Sequence, residues 1–219
     1  MALTSQAVQD INLGRGGSYS MARDVQTHSV WDVRAIPAAN ANFSFFAQGI
    51  GAQFENGAKD KQETNLSDNG KLPTGQTFLA KRIGLALIAP VEPGTVDTAD
   101  VIQAYNNILQ HTLLQLKVQG RDFDLEIHGR QFLPSVAITG LNAGTIYTSR
   151  VGDYIASGFF SLGAVPIFLD SLVGFTVPMI TRSANTYVNG TVIEDAFTLL
   201  NSYYARIMVT LEGVLTRAK

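Results

Sequence analysis

Three stretches of the chain alternate apolar and polar side chains, the period of a strand with one face in a core and the other in water. Residues 77–88 form the longest, and their expected inward face is Leu79, Ile83, Leu85 and Leu87, with Lys81 the exception. Pro90 and Pro93 end it, because proline cannot donate to a sheet ladder. In the second, Leu114, Leu116 and Val118 are followed by a Gly120-Arg121 turn. Phe123, Leu125 and Ile127 then alternate with Asp122, Asp124, Glu126 and His128, which predicts a hairpin with one wet face. Residues 205–215 supply the third. A chain with strands of this kind must bury their apolar faces against a second layer of structure.

Shorter strand candidates lie at residues 42–46, 145–149, 159–162, 165–169, 175–180 and 186–188. Between residues 98 and 110 the period changes: Val101, Ile102, Tyr105, Ile108 and Leu109 share one helical face. Asp97 or Thr98 can cap its first amides, and Asp100 suits the positive end of the helix dipole. Many short strands, frequent turn signals and one short helix predict an all-β jelly-roll β-sandwich. Residues 1–60, with Gly14-Arg15-Gly16-Gly17 and scattered polar residues, are expected to be an extended N-terminal arm and linker carrying one short strand; residues 61–219 form the roll.

Net charge is −2 and charged residues make up only 16% of the chain, below the roughly 25% of ordinary soluble domains. The small net charge removes the electrostatic attraction that dominates nucleic-acid affinity, so direct sequence-specific nucleic-acid binding is not expected. Within residues 1–40, Arg15, Arg23 and Arg34 balance Asp10, Asp24 and Asp32, so the lone Arg-Gly-Gly reads as linker. The absence of cysteine excludes disulfides, thiolate nucleophiles and cysteine-based zinc sites. The longest apolar runs, residues 83–91 and 163–169, fall far short of the roughly 20 residues that span a bilayer. The first residues lack the basic and apolar regions of a secretory signal, so synthesis and retention in a cytoplasm are expected.

Thr64-Asn65-Leu66, the run from Asn69 through Gly70, Lys71, Leu72, Pro73, Thr74, Gly75, Gln76 and Thr77 to Phe78, and the long strand that follows resemble the opening of jelly-roll major capsid proteins of tailless icosahedral bacteriophages. The passage from Ile127 to Pro134 and the closing strand from Met208 to Arg217 are similar to the same family, so the likeness spans residues 64–219. It implies a structural virion subunit that assembles with itself into trimers or pseudo-hexamers of an icosahedral shell, beside other virion proteins and often over an internal membrane. Some members carry two stacked rolls. Eight strands need roughly 65–100 residues before loop insertions, so one roll plus an arm fits this length better than a compact double roll. Low charge suits a subunit whose flanks are covered by neighbours.

No catalytic, cofactor or metal residue is assigned. His28, His111 and His128 have no metalloprotease-like spacing and read as ordinary surface or hydrogen-bonded residues. Asp122, Asp124 and Glu126 would line one strand face and could offer oxygens to calcium or a sugar, though such a row is usually the solvated side of a strand. Gly49-Ile50-Gly51 lacks the third glycine and following helix of a dinucleotide site, and no phosphate-loop or nucleophile-elbow motif occurs. The sequons at Asn42, Asn65 and Asn189 are read as chance matches. Trp31, the one tryptophan, is either an anchor where the arm crosses a neighbour or a core residue. The chain is therefore expected to be a non-enzymatic capsid subunit resident in the virion; the alternative is a carbohydrate- or receptor-binding sandwich of a spike or fibre.

Overall fold

In the computed structural model, the described residues are 24–39, 42–54, 57–89, 96–119, 125–132, 154–162, 166–181, 187–188 and 191–217. The centre of the larger sheet is a pair of long strands, β5 (Gln76–Ile88) and β13 (Arg206–Arg217), hydrogen-bonded antiparallel along their full length. β1 (Asp24–Ala35) lies on the outer side of β13. The far side of β5 is shared: β8 (Tyr154–Ser161) pairs with its second half and β9 (Ile167–Asp170) with its first. The smaller sheet runs β2 (Phe43–Phe45), β10 (Phe175–Thr181), β6 (Thr112–Val118), β7 (Leu125–His128). Two ladders of two-residue strands, β3 (Gln53–Phe54) with β4 (Gly57–Ala58) and β11 (Tyr187–Val188) with β12 (Thr191–Val192), stand apart from both.

The chain crosses between the sheets in a fixed rhythm. β1 is in the larger sheet, β2 in the smaller, β5 in the larger, β6 and β7 in the smaller, β8 and β9 in the larger, β10 in the smaller and β13 in the larger. Strands adjacent in space are thus mostly remote in sequence, which is how a jelly roll wraps. Among the described residues one sandwich accounts for both sheets, as the favoured single roll requires. The expected hairpin is β6 and β7, with Leu114 opposite Ile127 and Leu116 opposite Leu125.

The inner faces meet in one core that includes Phe45, Phe78, Ile83, Leu85, Leu87, Leu114, Val177, Met179, Val209 and Leu211. α1 (Val96–Gln110) joins β5 to β6 and buries Val101, Tyr105, Ile108 and Leu109, the face its spacing predicts. The side chains of Asp97 and Thr98, the expected caps, lie outside the described residues.

Three expectations change. First, a second helix, α2 (Ile193–Ser202), precedes β13 and buries Ile193, Ala196, Phe197 and Leu200. Second, residues 24–35 of the expected arm are extended but built into the larger sheet as β1. Third, Leu79 does not share a face with Ile83, Leu85 and Leu87. The register places Glu212 opposite Arg82 and Gly213 opposite Ala80, leaving Lys81 as the extra residue of a bulge. A bulge shifts the alternation by one position, so Phe78 and Ala80 join the core while Leu79 points to the outer face. There it packs with Val214, Val25 and Phe168 in a separate small cluster. Gly213 permits the bulge, since a Cβ there would run into the Leu79 carbonyl. The candidate strand at 145–149 lies outside the described residues.

Candidate association surface and a buried ion pair

An outermost strand exposes a row of unpaired backbone groups and is open to edge-to-edge association. On β1 the outward groups of residues 29–33 are occupied by the segment 63–65. The Asn65 side chain acts as a short strand: its Nδ2 donates to the Ser29 carbonyl at 2.7 Å and its Oδ1 accepts from the Trp31 amide at 3.0 Å. The Thr64 hydroxyl donates to the Trp31 carbonyl at 3.1 Å, and the Val33 amide donates to the Glu63 carbonyl at 2.7 Å. Thr64 and Asn65 therefore work as a clamp on β1.

Beneath the clamp, on the core side of β1, Asp32 and Lys59 meet in an ion pair whose side chains are both 0% exposed. Lys59 is held by its backbone: its amide donates to the Ala52 carbonyl and its carbonyl accepts from Gly51, each at 2.8 Å. Gly51 has φ +86°, which glycine adopts without steric cost. The Lys59 Nζ touches Asp32 Oδ1, while Asp32 Oδ2 accepts from the Phe46 amide at 2.7 Å. Burial is the larger influence on both ionisations: it raises the Asp32 carboxyl and lowers the Lys59 amine, against the attraction within the pair. Taking two charges out of water costs several kcal/mol per ion, so this pair persists only because its polar atoms are met.

The outer face of the larger sheet is mostly neutral. The row Trp31, Thr210, Gly84, Phe159 crosses it from edge to edge. Phe159, 49% exposed, lies over Gly84, and the Arg82 guanidinium sits 5.5 Å from its ring centroid. Arg82 also pairs with Glu212 at 2.5 Å. Trp31 is half-buried and lines a shallow groove of about 350 Å³ with Lys61, Gln62, Met208 and Thr210. Two further apolar side chains project at opposite ends of the sandwich: Leu172, 83% exposed, in the turn after β9, and Tyr204, 79% exposed, just before β13.

The histidines are not brought together. His28 lies on β1 opposite Gly213, and burial, then the Arg217 charge, lower its pKa. His111 follows α1, and its amide donates to the Ile108 carbonyl at 3.0 Å. His128 ends β7 and accepts from the Arg130 amide at 3.3 Å through Nδ1. Glu126 is exposed on β7 and accepts from Gln115 Nε2 at 2.7 Å; Asp122 and Asp124 lie outside the described residues. Among the described residues, no three His, Asp or Glu side chains converge as metal ligands, and no helix is long and apolar enough to cross a membrane. Gly49-Ile50-Gly51 is a loop: the Gly49 amide donates to Asn69 Oδ1 at 2.8 Å and the Ile50 amide to the Leu66 carbonyl at 2.9 Å.

Fold and surface together define the class as a jelly-roll β-sandwich with a clamped edge and a buried charge pair. Compared with known protein families, curated proteins and solved structures, the chain matches none of them.

Proposed function

We propose that this chain is a structural virion protein, the major capsid subunit of an icosahedral shell, working by association with copies of itself and with other virion proteins. The observation that carries this reading is the separation of the large exposed apolar side chains among the described residues, with Ile50 the least exposed of them in the loop after β2. Phe159 lies on one broad face, while Leu172 and Tyr204 lie at opposite ends. A subunit that tiles a surface needs contacts on several sides, whereas a ligand-binding module concentrates them in one cleft. The clamp on β1 supports the same reading, since a shell subunit must exclude irregular strand-to-strand growth. In this reading the chain performs no chemistry on other molecules, reads no nucleic-acid sequence, is made in a host cytoplasm and resides in the virion, with trimers or pseudo-hexamers as capsomers and an internal membrane compatible beneath them.

Sedimentation and electron microscopy of the purified chain test it. The expected result is discrete multimers, cages or hexagonal capsomers, diminished by Phe159→Glu or Leu172→Glu; a strict monomer at high concentration overturns it. The Trp31 groove favours a second reading, a carbohydrate- or receptor-binding sandwich, because an indole face suits a sugar ring. Saturable binding to a glycan array, lost in Trp31→Ala while the chain stays monomeric, selects that reading.

A further inference from the structure

We propose that Lys59 and Asp32 are a self-modification site, at which the lysine Nζ condenses with the aspartate side-chain carboxyl to form an intramolecular amide tying the segment after β4 to β1. The inference is independent of the shell reading. Three features support it. The reacting groups are already in contact, with Nζ against Oδ1, and neither side chain has any accessible surface. They lie on the core side of β1: Val209 is opposite Asp32 in the register and belongs to the core with Phe46, whose amide meets the carboxyl, while Thr64 also bonds the carboxyl and the charges of Arg34 and Glu63 reach Lys59. The carboxyl is also held from its other oxygen by the Phe46 amide, and Phe46 is one of two non-glycine residues described with positive φ, at 61°. Backbone strain of this kind persists where surrounding structure requires it, and here it aims an N–H at the carboxyl.

Condensation needs a neutral amine and a neutral acid. Burial moves both groups in that direction and is the largest influence on each; Arg34 adds to the depression of Lys59, while Asp32 and Glu63 oppose it, and Lys59, the Phe46 amide and Thr64 oppose the rise of Asp32. Transfer of one proton from the ammonium to the carboxylate produces the reactive pair. The Nζ lone pair then forms a bond to Cγ, and the C=O electron pair moves onto Oδ2, where the Phe46 N–H stabilises it as an oxyanion-hole donor does. Oδ1, carrying the acid proton, takes a second proton from Nζ and departs as water when the Cγ–Oδ1 bond breaks. Oδ2 returns to a carbonyl oxygen on the same N–H. Nothing is oxidised or reduced, and no co-reactant is required. Fixed contact in a dry site replaces chemical activation of the acid. In a chain without cysteine, the amide would close the loop from residue 32 to residue 59 and restrict the unfolded chain as a disulfide does.

Intact-mass spectrometry of the full chain under denaturing conditions tests this. The expected mass is one water below that of the sequence, with Lys59→Arg and Asp32→Ala at their full sequence masses. Trypsin and a Glu-specific protease together cut at Arg34 and Glu55, releasing residues 35–55 and leaving the peptides bearing Asp32 and Lys59 joined. A wild-type chain that unfolds cooperatively but has its full sequence mass overturns the proposal, as does a water loss that persists in Lys59→Arg. The wild-type measurement decides the question even if a variant fails to fold.

Discussion

Among the described residues, β1 and β7 are outermost strands of opposite sheets, and their edges are protected in different ways. β1 is 12 residues long, and from residue 29 to 33 its outward groups are occupied by a loop whose position depends on Asn65 and, from inside, on Asp32 and Lys59. β7 is only 4 residues long and presents exposed Glu126 and His128. A short, charged edge offers too few rungs to nucleate growth, whereas a long edge must be covered. The contrast shows where stability and solubility are separable: β7 relies on brevity, and β1 on specific long-range contacts that single substitutions can remove.

The largest expected effect comes from the pair under β1. Asp32→Ala or Lys59→Met strands a partner in the core and should cost about 3–5 kcal/mol in urea unfolding. Combining Asp32→Leu with Lys59→Met sharpens the comparison. If the double variant regains most of the loss, the cost of each single substitution is the partner left alone in the core. If it does not, the tie between loop and strand is what matters. Next is Asn65→Ala, which removes the bonds to Ser29 and Trp31 and leaves their backbone groups to water. About 1–3 kcal/mol should be lost, with increased irregular aggregation by light scattering. Unchanged stability and solubility in Asn65→Ala would show that the edge of β1 needs no cover.

The same contrast explains what could be read from the residues. β5, β13, α1 and the β6–β7 hairpin are legible because each carries its own periodicity, and a local pattern suffices to define it. Simple alternation puts Leu79 on the inner face, but a bulge at Lys81 resets it, and the cause lies in the partner strand at Gly213. α2 had a usable signal: Ile193, Ala196, Phe197 and Leu200 follow helical spacing, and Glu194 and Asp195 occupy its first turn. The strands on either side of it mask that spacing. β1 was hidden because Asp32 stands where an apolar residue would complete the pattern, and its partner is 27 residues away. Nothing local links positions 32 and 59, so neither the pair nor the clamp built over it was visible in the sequence.

The smallest expected effect concerns the part of β1 below the clamp. His28 is half-buried beside Arg217, and burial, then that positive charge, hold its pKa below the ordinary value of 6.5. As pH falls, the unfolded chain takes up this proton before the folded one does, so the unfolded state binds more protons across the interval. The stability associated with neutral His28 is therefore fully present above 6.5 and is lost as pH falls through the lower folded value. Partial exposure lets solvent screen the charge, so the loss should be small beside that of Asp32→Ala. Urea midpoints measured at a series of pH values should decline on acidification less steeply in His28→Gln than in the wild type. Identical slopes would mean that this end of β1 opens enough for His28 to titrate as in the unfolded chain, and would confine the rigid part of the strand to the residues under Asn65.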